Sequence, residues 1–308
     1  MLQTRSSSIS PRRHIGESAR DRLFLVTVYV FLGFLVALVL YPLIYIVSSA
    51  FSSPEAVVSG QVKLLPVHPS LAGFQAAFRD GNILSGFNNS LFYTVVGTAI
   101  NVVLTVALAF PLSRRSFYGR GVISFVCVFT LFFNGGLIPY YVLTQDLGLI
   151  DSRWSQIIPS AVAVWQVIIA RTFFQHTIPD ELAEAAEMDG CSDVRFVLQV
   201  VVPLSKPVLA VLALMYAVGH WNSYFDALIF INTGDLQPLQ MVLRNILILN
   251  DVNTSRMVAN PQQLIVQQGM INLLQYAVIV IGSLPMLALY PFVQKHFIKG
   301  VLIGSLKG

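Results

Sequence analysis

The stretch "IPDELAEAAEMDGCSDVRFVLQVVVPLSKP", Ile178 to Pro207, sits between two long apolar runs. It carries Asp180, Glu181, Glu184, Glu187, Asp189 and Asp193 before its first cation, Arg195. The spacing predicts two short helices joined by a tight turn, in a loop spanning 177–207. Pro179 suits a first helical turn, where a missing N–H costs nothing. Asp180 and Glu181 fall beside the positive end of that helix. Ala183, Ala185 and Ala186 are strong helix formers with almost no side chain. Gly190 fits the left-handed residue that closes a helix. Ser192 can cap the next one, with Asp193 in its first turn. Pro203 then interrupts the chain, and Pro207 opens the next apolar run. A solvated acidic face is the plain reading of the carboxylates. Three features together favour a docking knob for a partner that offers lysine or arginine. The alanines permit close approach, the glycine fixes the angle between helices, and the loop grows directly out of two apolar segments, so a push on it moves both.

The rest of the chain explains why such a knob stands out. Of 308 residues, 55% are hydrophobic and only 11% charged, with a mean hydropathy of +0.70. A soluble protein of this length cannot hide that much apolar surface, so a membrane protein is expected. The net charge of +4 comes from basic residues at the ends of apolar runs, which points to orientation in a bilayer rather than to nucleic acid. Cys127 and Cys191 lie far apart, and the five histidines are scattered. That pattern predicts no disulfide framework and no metal site.

Six apolar segments reach the roughly 20 residues needed to cross a bilayer. They are Leu23–Phe51, Phe87–Leu112, Gly121–Thr144, Ile157–Phe174, Pro207–Ile231 and Met270–Gln294. They are apolar around the whole circumference, as in a helical bundle; barrel strands would alternate over about ten residues. The first run is too long for a signal-peptide core. An even number of spans puts both termini on one side. Fourteen of the 19 Lys and Arg fall in the first tail, in the loops after spans two and four, and in the last tail, which predicts that side to be cytoplasmic. The expected organisation is a cytoplasmic tail over 1–22, a transmembrane domain over 23–295 and a second cytoplasmic tail over 296–308. The acidic loop would then be cytoplasmic. The long amide-rich segment 232–269, containing "ILNDVNTSRMVANPQQ" (Ile248–Gln263), would be an outer loop.

The order Glu184-Ala185-Ala186, Asp189-Gly190, then Pro203 and Pro207 resembles the "EAA…G…P" loop of ATP-binding-cassette (ABC) importer permeases. The likeness covers most of the chain and is greatest to the carbohydrate-uptake group, the relatives of the second maltose permease. The family pattern often has Ala at Cys191. "FFNGGLIPYYVLTQDLGLIDS" (Phe132–Ser152), "GHWNSYFDALIFI" (Gly219–Ile231) and "YPFVQKHFIKGVLIGSLKG" at the end of the chain are similar to a subgroup associated with complex oligosaccharides. The resemblance implies an all-α, six-helix permease of the type I importer architecture. It implies a pathway shared with a second, homologous permease, two cytoplasmic ATP-binding subunits, and an extracytoplasmic solute-binding protein that delivers the cargo. ATP and magnesium would bind the ATPase, with no cofactor on this chain. Glu184, Ala185, Ala186, Asp189, Gly190 and Pro203 would form the ATPase contact, with Glu184 carrying its charge and Gly190 its turn. In related maltose-type permeases the last outer loop reaches the binding protein's sugar cleft, and 232–269 is long enough to do so.

The chain is not expected to be an enzyme. It has no G-x-x-x-x-G-K-[ST] phosphate loop; "GVLIGSLKG" at Gly300 has a lysine that Ser or Thr does not follow. His220 and Asp226 are off the i, i+4 register, so no catalytic dyad is read. Polar groups inside spans mark candidate pathway positions. In span five, Asn222 and Asp226 are one turn apart, as are His220 and Tyr224. Amides and carboxylates bind sugar hydroxyls, and aromatic faces pack on sugar rings. Bonds to neighbouring helices are the equally weighted alternative. Asn134 beside Gly135-Gly136 marks either a break in span three or a close helix crossing. Arg153, outside span four, could meet an acidic cargo, though a surface arginine is more often solvated. A proton-coupled transporter using Asp226 is the second reading of the whole chain, and a membrane scaffold or sensor the third.

Overall fold

The computed structural model describes residues 19–253 and 261–305, the side chains of 19, 248–267, 290 and 292–305 apart. Every regular element among them is helical. In chain order these are α1 (Ala19–Ala50), α2 (Pro54–Val58), α3 (Ala72–Arg79), α4 (Gly81–Ser113), α5 (Arg120–Phe132), α6 (Leu137–Asp146) and α7 (Val164–Thr177). Next come α8 (Asp180–Met188), α9 (Asp193–Phe196), a π-helical turn over Val197–Val201 and α10 (Val202–Leu204). The chain continues with α11 (Lys206–Trp221), α12 (Phe225–Phe230), α13 (Leu239–Asn253) and α14 (Pro261–Ser305). α2 and α4 start where the sequence offers caps. Ser53 Oγ accepts the Ala56 N–H ahead of α2, and Asp80 Oδ1 accepts the Asn82 N–H ahead of α4.

The all-helical class is as expected, but six unbroken spans are not what the chain forms. Among the described residues three helices are long and apolar enough to cross a membrane: Arg20–Ala50, Gly81–Ser113 and Gln268–Leu289. A fourth is reached if Asp193–Leu204 and Lys206–Trp221, bent by 87°, count as one. The segment 121–144 divides into α5 and α6. There Asn134 Oδ1 accepts the Gly136 N–H at 2.8 Å, and Gly136 has φ +85° and ψ 175°, a region open essentially to glycine alone. The segment 157–174 is helical only from Val164; Pro159 disfavours the helical region for the residue before it. The segment 207–231 stops at Trp221. Asn222 turns its side-chain amide back onto the Val218 carbonyl at 2.9 Å, and the Ser223 N–H bonds to the His220 carbonyl, the local competition that ends helices. The supposed outer loop 232–269 is largely α13 and the start of α14, with Leu239, Val242, Leu243 and Ile246 on a buried helical face. Residues 1–18, 254–260 and 306–308 lie outside the described residues. Of the expected last tail, 296–305 is the end of α14.

Non-helical backbone buried among helices needs partners from its neighbours. Around 160–163 they are present. Asn101 Nδ2 on α4 donates to the Ser160 carbonyl at 3.2 Å, and the Ala163 N–H donates to the Tyr216 hydroxyl, which is 2.7 Å from Thr105 Oγ1. These buried polar side chains serve the fold rather than a cargo.

Two packed regions sit at opposite ends of α4, which runs between them. At one end Val106, Ala109 and Leu112 meet Val167, Ala170 and Phe174 of α7, Phe196 and Val201 of the acidic stretch, and Val208 and Leu212 of α11. At the other, Ile83 meets Trp221, Leu239, Val242, Ile246 and Val278. Trp221 Nε1 donates to the Gly282 carbonyl at 2.9 Å, pinning α11 to α14. Midway, a Cβ on Gly97 would lie 2.5 Å from His220 Nε2, so the missing side chain leaves the room that the imidazole fills. The apolar core of α1 is unburied by the rest of the chain.

Candidate functional site

The acidic stretch forms a helical elbow. α8 ends in a complete Schellman motif: the Cys191 N–H bonds to the Ala186 carbonyl and the Gly190 N–H to the Glu187 carbonyl, both at 2.9 Å, with Gly190 at φ +74°. Cys191 occupies the position where the apolar contact of that motif falls. It packs with Ala183 and Ala186 against the cluster of α4, α7 and α11. This gives Cys191 a physical reason that its sequence does not declare. Pro179 is the N-cap rather than the first helical residue, and Ser192 is the N-cap of α9 without a side-chain bond.

After α9 the helix widens. The Val202 N–H reaches the Val197 carbonyl, five residues back, next to Pro203, whose ring would clash with the Gln199 carbonyl in a regular helix. The chain turns by 87° at Ser205, which is fully buried, and Pro207 enters the first turn of α11. Phe196 and Val201 of this elbow are core residues. α8 and α11 are therefore joined through a packed corner rather than a slack loop.

Arg114, the C-cap of α4, holds the other side of α8. Its Nη1 donates to Asp180 Oδ1 at 3.0 Å and to the Ile178 carbonyl at 3.1 Å, and its guanidinium lies 4.8 Å from the centre of the Phe110 ring. Arg114 is buried and Asp180 half exposed. Asp180 thus faces the bundle. Glu181, Glu184, Ala185, Glu187, Met188, Asp189 and Gly190 face outward, and the carboxylates among them pair with no cation among the described residues. Ala183 and Ala186 belong to the inner face, so of the three alanines Ala185 alone is exposed.

The candidate pathway residues do not form one row. Asn222 and Tyr224 are exposed in the break between α11 and α12, whereas Asp226 is half-buried within α12. The helix end at Trp221 removes the one-turn relation between Asn222 and Asp226, and His220 is buried against Gly97. Asn134 is exposed at the α5–α6 break. The break, rather than a close crossing, is its setting: a Cβ on Gly135 would meet nothing nearer than 3.8 Å. Arg153 stacks its guanidinium 4.9 Å from the Phe92 ring centre.

Three features escape a reading of the sequence. Arg114 looks like one more interfacial cation, since nothing local announces its partner 66 residues away. Asp151 takes the left-handed region (φ +54°) and bridges to a distant segment. Its Oδ1 accepts the N–H groups of Asn232 and Thr233 at 3.0 and 2.8 Å, and its Oδ2 accepts the Thr233 hydroxyl at 2.6 Å. The Thr233 hydroxyl, then the backbone donors, hold its carboxyl below the ordinary aspartate range. Gln240 and Arg244, four apart on α13, line a cavity of about 1300 Å³ together with Asn222 and Tyr224. Their i, i+4 spacing was the available signal.

Comparison with known proteins places this architecture. The chain is 40% identical to "Protein LplC" of Bacillus subtilis, over 93% of this chain and 96% of that protein. It is 38% identical to the "Polygalacturonan/rhamnogalacturonan transport system permease protein YtcP" of the same organism, over 94% of this chain and the whole of that one. A crystal structure of a bacterial ABC transporter involved in the import of the acidic polysaccharide alginate contains a similar chain. That chain matches at a TM-score of 0.83 and 33% identity, over 91% of this chain and 99% of that one. No family model matches. With this identity sustained along nearly its full length, the chain belongs to the sugar and oligosaccharide permeases of ABC transporters.

Proposed function

We propose that this chain is one of two permease subunits of an importer for an oligosaccharide, and that α8 is where a separate ATP-hydrolysing subunit takes hold. Both termini and α8 would lie on the cytoplasmic side. The six crossings of the proposed topology would be made by α1, α4, the α5–α6 pair, α7, α11 with α12, and α14. A solute-binding protein would deliver cargo from outside, and ATP with magnesium would remain on the motor subunits. The observation that carries the reading is the elbow: an exposed acidic helix, closed at Gly190, clamped to α4 by Arg114–Asp180 and joined to α11 through a buried corner. Outward charges can bind a basic cleft, while the inner face transmits displacement because packed cores are bistable rather than soft.

The test is import by the complete assembly. Glu184→Lys reverses the exposed charge, and Gly190→Val strains a left-handed residue surrounded by open space. Each is expected to lower import by about tenfold or more, the loss of about 1.4 kcal/mol of docking, with the permease still present in the membrane. Glu184→Cys should crosslink to the ATP-hydrolysing subunit. Asp226→Asn should leave import within about twofold. Import that survives the first two changes but collapses with the last would overturn the coupling role in favour of a proton-coupled carrier.

A further inference from the structure

We infer that the cavity between α1, α3, α11, α13 and α14 contains a carboxylate-recognising subsite centred on Arg244; this rests on the importer reading above. The cavity, of about 1300 Å³, exceeds the usual size for a single small ligand and has room for several sugar units. Its wall is mostly aliphatic, drawn from α1, α11 and α14, with Phe51 and Phe74 packed at 4.8 Å between ring centres on one side. Polar groups are few. Asn222 and Tyr224 come from the break after α11, Gln240 and Arg244 from one face of α13, and Ser283 from α14.

Arg244 is the exceptional member. It is half-buried beside aliphatic side chains, and among the described residues it makes neither an ion pair nor a hydrogen bond. A guanidinium keeps its charge at any physiological pH, so a cation fixed there lowers the energy of an anion in the cavity. Its planar fork matches a carboxylate bidentately. Gln240, one turn before it, and Asn222 across the cavity offer amides for the hydroxyls next to that carboxylate. Tyr224 and the phenylalanines offer faces for the apolar side of a pyranose ring. This set is what a uronate residue presents: one carboxylate, flanking hydroxyls and an apolar face. Two of the similar proteins bear names of uronate-containing polymers, polygalacturonan and alginate, and a fixed arginine in the cavity would let a permease distinguish such a glycan from a neutral one. The Asn222–Tyr224 break thereby gains a role as the element that turns polar groups inward.

The experiment uses the complete importer in proteoliposomes, with two labelled cargo pools: mixed oligogalacturonates and alginate oligosaccharides, and the same pools after carboxyl reduction. Arg244→Gln is expected to lower uptake of the acidic pools about tenfold and to leave the reduced pools unchanged, with Arg244→Lys retaining part of the acidic uptake. An equal loss with both kinds of pool would overturn the subsite, as would no loss with the acidic one. Loss of the partner permease on purification of Arg244→Gln would also overturn it, because the arginine would then be meeting a protein carboxylate. Wild-type assembly that imports only the reduced pools overturns the subsite and leaves the importer reading intact; assembly that imports neither these pools nor any other oligosaccharide overturns both.

Discussion

α4 touches both proposed functional regions, and its two ends are held by different kinds of contact. At the Leu112 end the partner segment shapes itself. Gly190 and its Schellman bonds close α8, and Pro203 and the π turn redirect the chain. That locally shaped elbow packs on α4, with Arg114 as its clamp. At the Ile83 end the partner segment is shaped by α4. Asn89 Nδ2 donates to the carbonyls of Asp235 and Gln237 at 2.6 and 3.1 Å, the Tyr93 hydroxyl donates to the Leu236 carbonyl at 2.7 Å, and Ser90 Oγ accepts the Leu239 N–H at 2.8 Å. Four bonds from one helix thus fix the irregular backbone that launches α13 and points Arg244 at its cavity. The proposed coupling end is therefore a preformed part, and the proposed cargo end a product of tertiary assembly.

Glycine substitutions test that contrast with the largest expected effect. A Cβ on Gly86 would fall 2.9 Å from Val242 Cγ2 and 3.2 Å from Leu239 Cα. Gly86→Val must push α13 away from α4, at a cost of about 3 kcal/mol. The apparent Tm of the purified protein should fall and Arg244 should lose its position. Gly190→Val meets nothing within 4 Å; its cost, about 1–2 kcal/mol, is the left-handed backbone alone. Hydrogen exchange should rise over α8 and stay low elsewhere. If the two variants lowered Tm equally, the elbow would not be an independent part.

A smaller effect is expected where α4 reads the distant backbone. Asn89→Ala removes the amide that donates to the carbonyls of Asp235 and Gln237 and should cost about 2 kcal/mol, whereas Tyr93→Phe should cost about 1 kcal/mol. Both should raise exchange at 233–240 before they loosen the Leu112 end, as compared by mass spectrometry of peptides from the two regions.

The same contrast governs what the sequence could tell. The elbow was legible because its signals are local: alanine propensity, a left-handed glycine and two prolines act within a few residues of themselves. Its inner clamp was not, since Arg114 and Asp180 meet only when α4 and α8 are already packed. The long helices α1, α4 and α14 were legible from their unbroken apolar length. The Asn134–Gly136 break was one of two alternatives the sequence offered, whereas the other broken segments were read as continuous because apolar count does not register Pro159 or the Asn222 back-bond as interruptions when hydrophobic residues flank them. α13 was read as loop for the opposite reason: Asn and Gln outweighed its Leu239–Val242–Leu243–Ile246 stripe. Asn222 and Asp226 looked like neighbours on one helix, as did His220 and Tyr224, until the backbone itself parted between them.

The smallest expected effect belongs to Asp151, which latches the loop after α6 to the segment after α12. Its carboxyl lies below the ordinary aspartate range because the Thr233 hydroxyl, and then backbone N–H groups, bond its charged form. A lowered folded value means that the unfolded chain takes up its proton first as pH falls. The latch's contribution is therefore complete above the unfolded value of about 4 and is lost as pH drops through the lower folded one. Exchange at the Thr233 amide, corrected for its intrinsic pH dependence, should be flat from neutrality to about pH 5 and should rise below about pH 4. Asp151→Asn keeps a residue that tolerates φ +54° but removes the titration, so its profile should stay flat throughout. A wild-type profile that matched the asparagine variant would show that charge is irrelevant to the latch. The latch would then act through its hydrogen bonds alone, which an amide oxygen also accepts.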